Sequence, residues 1–357
     1  MAHWLAGRGH AVAVVAASSA PHEVRADRNG VRVLSCPLVP AASPGALARR
    51  VRNVSFAVAS APTLLAEAAT FRPDIVGALT PSTTAASAAL AAARLASCPA
   101  WLHLEEDAPS LGVEPAFACV SAAAFDAALR LEHRSVAASS ALALAPWVDT
   151  SAIRPLDQPS LLRDLVTLQA DDVIALYVGT LAEDRIAESL IDAVRRVPPH
   201  GAIHYVVAAR GPALGALAAA ARALPRLRVL PMPPERDLNL LLAAADIHLM
   251  PEGIAASDAL VPAKLATLLA SGRPVVSGKM PGALPAPLAD AVVQAPATGE
   301  GLAAAVVQLA AAPEARQAAG IAARRAAQDY FAKERVLRTL ERRLAALAGR
   351  QATAPDG

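Results

Sequence analysis

The feature that most constrains this chain is a regular alternation between two kinds of segment. Short runs of apolar and β-branched residues are each followed by a longer stretch, rich in Ala, Leu and Arg, that has helical periodicity. The short runs are AVAVVAA, VRVLSC, DIVGAL, PAWLHL, VIALYVG, IHYVVAA, LRVLPM, DIHLMP and RPVVSG. Near-continuous apolar strands separated by helices are typical of parallel sheets that are covered on both faces. The sequence therefore predicts an α/β fold built from βα units.

These units fall into two groups, which predicts two domains. Polar residues and prolines interrupt the pattern at WVDTSAIRPLDQPS, and a chain of 357 residues is longer than one core usually supports. We predict an N-terminal domain over residues 1–148 and a C-terminal domain over 149–329. An amphipathic helix over 330–349 and a frayed tail over 350–357 follow them.

The N-terminal domain is predicted to begin differently from the C-terminal one. MAHWLAGRGH opens on a helix that Gly9 closes, and the first strand, AVAVVAA, comes only afterwards. A doubly wound domain normally starts with a strand and a Gly-containing loop. We therefore expect the N-terminal sheet to lack its first strand and Gly-rich loop, which leaves a strand edge open or covered by another segment.

Composition argues against several classes of protein. The net charge of +2 is too small for a nucleic-acid-binding surface, which requires clustered basic residues. Cys36, Cys98 and Cys119 show neither CxxC nor Cys/His spacing, so neither a disulfide framework nor a zinc site is expected. We predict no transmembrane segment, because no run of about 18 strongly apolar, uncharged residues occurs, and no signal peptide. A cytoplasmic protein is expected.

The segment SDALVPAKLATLLASGRPVV, residues 257–276, carries the main candidate for chemistry. A strand that ends at Pro251 precedes it, Pro262 favours a helix start and Gly272 favours the helix end. The free N–H groups and positive dipole end of a helix N-terminus suit a diphosphate, and Lys264 in the first turn adds a point charge. The ordinary alternative is a core helix whose Lys264 is solvated.

This segment resembles the nucleotide-sugar site of glycosyltransferase family 4, retaining enzymes of GT-B fold. The likeness is to the branch that builds colanic acid and related exopolysaccharides, where the run is approximately ADIHLLPQ…DLVMPSKL…LASGRPVV. This chain has ADIHLMP at 245–251, DALVPAKL at 258–265 and LASGRPVV at 269–276. The likeness extends over nearly the whole chain through WLAGRGH, RPDIVGALTPS, WLHLEED, WVDTSAIRPL and LYVGTLAE.

The resemblance implies two Rossmann-like domains that face a cleft, with the acceptor on the first and the nucleotide sugar on the second. It implies retaining transfer of a hexosyl-type sugar from a nucleoside diphosphate to a lipid-linked or glycan hydroxyl. Neither a metal nor another cofactor is expected, because main-chain amides and basic side chains bind the leaving diphosphate. The implied catalytic residues are His103, near the reacting carbon, and Asp258, at the sugar hydroxyls. The implied donor-binding residues are Gly179, Arg185, Arg210, Gly211, Glu252, Leu260, Val261, Lys264 and Thr267.

Several positions depart from the family pattern. Thr267 stands where the family usually has a glutamate that holds the ribose, Asp184 stands where it has a lysine for the diphosphate, and Pro146 replaces an asparagine. Arg185 is a candidate substitute for that lysine, although one residue along a helix turns the side chain by about 100°. These departures leave two alternatives open: a catalytically degenerate GT-B module that binds a glycan, nucleotide or partner enzyme, and a GT-B sugar-nucleotide epimerase.

Residues 43–60, SPGALARRVRNVSFAVAS, are predicted to form a basic amphipathic helix. Such a helix can lie on an anionic membrane surface, which would bring the protein to a lipid-linked acceptor on the inner face of the plasma membrane. The alternative is a solvated helix face.

The remaining motifs indicate no competing chemistry. The histidines show no metal-ligand spacing, no G-x-S-x-G elbow occurs, and no G-x-G-x-x-G opens a βα unit. Glu105 and Glu106 are adjacent on an extended chain and point apart, which argues against a glycosidase pair.

Overall fold

The computed structural model describes residues 1–18, 24–28, 30–37, 46–79, 83–104, 117–120, 141–156, 168–169, 171–181, 183–198, 202–252, 263–278 and 286–349. They form two compact units: Met1–Ala145 together with the chain from Val336 onward, and Pro146–Arg335. Each unit contains parallel strands connected by helices. The predicted α/β class with two Rossmann-like domains is confirmed.

The first unit contains two sheets. The helices are α1 Ala2–Gly7, α2 Ala46–Phe71 and α3 Thr83–Leu95. The strands are β1 Val12–Ser18, β2 Val24–Arg28, β3 Val31–Pro37, β4 Val76–Leu79, β5 Ala100–Leu104, β6 Phe117–Val120 and β7 Ala141–Ala143. One sheet has the order β1-β3-β2, with β1 parallel and β2 antiparallel to β3. The other is the parallel sheet β4-β5-β6-β7.

The second unit is built on one six-stranded parallel sheet of order β10-β9-β8-β11-β12-β13. Its strands are β8 Val173–Thr180, β9 Ile203–Arg210, β10 Leu227–Pro231, β11 Ile247–Met250, β12 Val275–Ser277 and β13 Val292–Gln294. Its helices are α4 Asp184–Arg196, α5 Leu214–Ala221, α6 Leu238–Ala244, α7 Ala263–Ala270, α8 Ala286–Ala289, α9 Gly299–Ala311 and α10 Pro313–Ala326; a π-helical turn, Ala327–Phe331, follows α10. Strands β8, β9, β11 and β12 are almost entirely buried, which explains their near-continuous apolar sequence.

The two units differ at the position of the first strand. In the second unit β8 pairs with β9 on one side and β11 on the other, so it is central. In the part of the first unit that the structure describes, no strand joins β1 to β4, and each is an edge strand. The absence of a first strand from the N-terminal sheet stays a prediction.

Helix α2 packs against α3, β1 and β3. Its Glu67 carboxylate lies 2.7 Å from the Arg32 guanidinium on β3, which ties the helix to the sheet. Val54–Phe71 within α2 is nevertheless long and apolar enough to cross a membrane by length and composition alone. The segment contains one charged residue, Glu67, so it is not an uncharged run, and the absence of a transmembrane segment stays a prediction.

The C-terminal helix α11, Lys333–Leu347, has the predicted amphipathic stripe. Val336, Leu337, Leu340 and Leu344 are buried. From Val336 onward the helix belongs to the first unit, where the Glu341 carboxylate accepts hydrogen bonds from Arg8 Nε at 2.9 Å and from His10 Nε2 at 2.8 Å.

Arg324 on α10 links the first residues of the second unit to the helices of that unit through hydrogen bonds. Its guanidinium donates hydrogen bonds to the carbonyls of Thr150 at 2.7 Å, Ile153 at 2.9 Å and Ala270 at 2.8 Å. Ala270 is the last residue of α7, where a cation also complements the helix dipole. One side chain thus fixes the segment after Pro146 and the end of the helix that carries Lys264.

We expect Arg324→Ala to lower the free energy of unfolding by roughly 2–4 kcal/mol, because three carbonyls lose a charged donor. Arg325→Ala, one residue further on an exposed position, is the matched control and should change it by less than about 0.5 kcal/mol. Urea unfolding followed by circular dichroism measures both. Equal effects of the two variants would contradict the role given to Arg324.

Candidate functional site

The candidate site lies at the carboxyl edge of the second sheet. All six strands are parallel, so the residues that follow β8, β9 and β11 lie at the same edge. This places Gly179, Arg210, Gly211 and Glu252 at that edge, together with Lys264 in the first turn of α7. The structure therefore brings together five of the residues that the sequence predicted to bind the donor.

Lys264 is the centre of this group. Its Nζ lies 2.5 Å from Glu252 Oε1 and 4.1 Å from the centroid of the Tyr177 ring. A Cβ added to Gly179 would lie 3.2 Å from the same Nζ. The ammonium is thus held between a carboxylate and the face of an aromatic ring, an arrangement that favours its charged form.

Burial shifts the pKa values of Lys264 and Tyr177. Burial lowers the pKa of Lys264, and the Glu252 carboxylate opposes that shift. Burial and then the charge of Glu252 raise the pKa of Tyr177. The ordinary alternative, a solvated Lys264 on a core helix, is wrong, because a partly buried ion pair replaces the expected water.

Two glycines at this edge have backbone conformations that favour glycine. Gly179 has φ of 153° and Gly211 has φ of 122°, values that side-chain-bearing residues rarely adopt. A Cβ at Gly211 would strike the carbonyl of Leu181, whose own N–H donates to the Arg210 carbonyl at 2.7 Å. The loops after β8 and β9 therefore approach each other too closely for any residue except glycine at position 211.

The two candidate arginines have exposed side chains. Arg185, in the first turn of α4, lies 3.5 Å from Glu183, and its side chain is 60% exposed. Arg210 Nε donates to the Thr180 hydroxyl at 3.4 Å. Asp184, at the N-terminus of α4, is an acceptable partner for the helix dipole but adds a negative charge to this edge.

Other predicted site residues lie elsewhere or outside the described structure. The Thr267 hydroxyl donates to the Ala263 carbonyl of its own helix at 3.1 Å. Asp258, Leu260 and Val261 lie outside the described residues. His103 is a β5 residue that pairs with Leu79 and Cys119, and its side chain lies outside the described part. The roles of these residues stay predictions.

His248, on β11, has a structural role. Its Nε2 lies 2.8 Å from the Ser271 hydroxyl, which itself donates to the Leu268 carbonyl at 2.6 Å. Since the hydroxyl proton is used there, Nε2 donates and the ring is neutral. Burial, followed by the charges of Arg273 and Lys264, lowers the pKa of His248 to about 3. His248 thus fastens the end of α7 to the sheet.

Among the residues that the structure describes, no His, Cys, Asp or Glu side chains form a group of three or more that could hold a metal ion, and the absence of a metal from the reaction stays a prediction.

The sequence did not identify Tyr177 as part of the site, nor the partner of Lys264. Tyr177 lies in LYVG, where it fits the apolar pattern of a buried strand, so its sequence context gives no sign of a ligand role. Glu252 was predicted at the site but not as an ion-pair partner, because the two residues are 12 positions apart in the sequence.

The sequence matches two family models. The first, described as a glycosyl transferase 4-like domain, matches residues 1–147. The second, described as glycosyl transferases group 1, matches residues 172–312. One match falls on each of the two units, and together they span most of the chain.

Several known proteins are similar to the chain. WcaI of Escherichia coli (strain K12), a colanic acid biosynthesis glycosyl transferase, is 25% identical over 311 residues, which cover 76% of this chain and 76% of that protein. Sucrose-phosphate synthase from Thermosynechococcus elongatus superposes with a TM-score of 0.76 at 15% identity, covering 97% of this chain and 92% of its own.

Anabaena HepE, solved in complex with UDP and glucose, has a TM-score of 0.64 at 16% identity, covering 89% of this chain and 87% of its own. At such identities the two solved structures show the fold alone. Taken with the family models and the geometry of the second sheet, they lead to one conclusion: the chain belongs to glycosyltransferase family 4, of GT-B fold, near the branch that builds colanic acid and related exopolysaccharides.

Proposed function

We propose that this glycosyltransferase moves a hexosyl-type sugar, with retention, from a nucleoside-diphosphate sugar to a lipid-linked or glycan hydroxyl. The observation that supports a nucleotide-sugar donor most directly is Lys264, a partly buried cation at the carboxyl edge of a parallel sheet, beside Gly179. Open α/β sheets bind their ligands at this edge. HepE, of similar fold, has been solved with UDP-glucose, which makes UDP-glucose the first donor to test.

The proposed chemistry requires positive charge where the leaving group forms. The bond between the anomeric carbon and the diphosphate oxygen breaks, the acceptor oxygen bonds to that carbon on the same face, and the acceptor proton passes to the leaving phosphate oxygen. Lys264 would hold the diphosphate, with Arg185 or Arg210 as a second cation. His103 beside the reacting carbon and Asp258 at the sugar hydroxyls complete the proposal, which includes no metal.

The alternative of a degenerate binding module rests on the carboxylates at this edge. Asp184 stands where the family has a lysine, and Glu252 already forms an ion pair with Lys264. Such a module would bind the nucleotide sugar without consuming it. The two functions are separated by an assay for UDP release from UDP-glucose in the presence of a lipid extract from an exopolysaccharide-producing bacterium. A glycosyltransferase should release UDP, whereas a binding module should release none.

We expect UDP-glucose to bind the purified protein in isothermal titration calorimetry, and Lys264→Met to weaken binding roughly 10- to 100-fold, because one charge-assisted hydrogen bond to the diphosphate is lost. Arg195→Met, an exposed residue in the last turn of α4, removes the same charge at the far end of that helix and should leave the affinity unchanged. Equal affinity of the Lys264→Met variant and the native protein would remove Lys264 from the site.

We also propose that α2 lies on an anionic membrane surface. Val51, Val54, Val58 and Leu65 are exposed and follow one helical face, and Val58 is 68% exposed. The sequence also places three arginines before or within this stripe: Arg49, Arg50 and Arg52. Basic residues beside an apolar stripe are typical of an interfacial helix. Because α2 also packs against α3 and β3, we propose that it lies in the interface plane and does not cross it.

We expect the protein to float with vesicles that contain phosphatidylglycerol and to float less with phosphatidylcholine alone. Val58→Glu should reduce flotation at least about fivefold, because it places a charge on the apolar stripe. Leu95→Glu, on an exposed leucine of the same unit, is the matched control. The same flotation for Val58→Glu as for Leu95→Glu would exclude α2 as the contact.

A further inference from the structure

Cations and carboxylates are balanced at the proposed donor site. Lys264 pairs with Glu252 at 2.5 Å, and Arg185 pairs with Glu183 at 3.5 Å. Asp184 and Arg210 add one charge of each sign. A diphosphate entering this site would therefore meet three cations and three carboxylates among the described residues named here, and not a net positive pocket.

Glu252 is the carboxylate that pairs with Lys264, the residue proposed to hold the diphosphate. Its Oε1 receives the hydrogen bond from Lys264, while its Oε2 is buried and has no hydrogen-bond partner among the residues that the structure describes. Any phosphate oxygen that Lys264 binds would lie within a few ångströms of this negative charge. Because Lys264 is partly buried against the Tyr177 ring, solvent and salt would screen the repulsion less than at an open surface.

The transfer changes the charge of the ligand. In a nucleoside-diphosphate sugar both phosphates are esterified at their outer ends, so each carries one negative charge. Breakage of the sugar–phosphate bond frees a terminal oxygen, which takes the acceptor proton and then loses it to solvent above a pKa of about 6, the usual value for a phosphate monoester. The free nucleoside diphosphate thus carries one more negative charge than the donor.

We propose that Glu252 is a specificity-determining residue that disfavours the free nucleoside diphosphate relative to the nucleotide sugar, and so promotes product release. The proposal rests on the donor site proposed above. The extra charge of the product is repelled by a carboxylate that one hydrogen bond links to Lys264, and the donor, which lacks that charge, is repelled less. Lys264 supplies affinity for both ligands, and Glu252 sets the ratio between them.

The test compares the dissociation constants of UDP and UDP-glucose by isothermal titration calorimetry, at a pH well above the pKa of the terminal phosphate. Glu252→Gln keeps an oxygen that can accept from Lys264 but removes the charge. We expect it to improve binding of UDP at least about tenfold more than binding of UDP-glucose. Glu252→Asp keeps the charge and should retain the native ratio, and Glu314→Gln, an exposed carboxylate on α10, should leave both affinities unchanged.

The outcomes separate this inference from the function on which it rests. If Glu252→Gln changes both affinities by the same factor, or favours UDP-glucose, the role of Glu252 is overturned while the donor site stands. If Glu252→Asp also binds UDP more tightly, side-chain length and not charge sets the ratio, and the inference is again wrong. If the native protein binds neither ligand, the proposed donor site itself is overturned.

Discussion

The parallel sheet of the second unit is the constraint on which the rest of the structure depends. Its strands β8, β9 and β11 are buried along nearly their whole length, so the exposed residues of these strands lie at or next to the strand ends. Because all six strands run the same way, the residues that directly follow β8, β9 and β11 lie at one edge. Gly179, Arg210, Gly211 and Glu252 lie there for this topological reason, although they are far apart in sequence.

The helix that carries Lys264 is fixed to this sheet at its far end. His248 bonds to Ser271 beneath the end of α7, and Arg324 caps the carbonyl of Ala270. Burial lowers the pKa of Lys264, and the Glu252 carboxylate opposes that shift because it stabilises the ammonium. In our proposal the same pairing makes the site prefer the nucleotide sugar over the free nucleoside diphosphate, because a diphosphate that binds Lys264 lies close to that carboxylate.

The fold was largely predictable from the sequence, and the site only in part. Buried parallel strands are apolar along their whole length, so VIALYVG and IHYVVAA identified β8 and β9, and the N-terminal helix was apparent from WLAGRGH. The partner of Lys264 was not predictable, because an ion pair between residues 12 positions apart leaves no periodic signal in the sequence. The place of Tyr177 beside Lys264 depends on the pairing of β8 with β11, a tertiary contact that local sequence does not encode.

Hydrogen exchange measured by mass spectrometry, with and without UDP-glucose, tests most directly the claim that Lys264 and the carboxyl edge of the second sheet form the donor site. A ligand bound there should slow amide exchange in peptides covering residues 176–181, 209–214 and 263–268, since these follow or flank the strand ends. Slowing in all three peptides, lost in Lys264→Met, is the predicted result. Unchanged exchange in these peptides at saturating ligand, or slowing confined to Met1–Ala145, would contradict it.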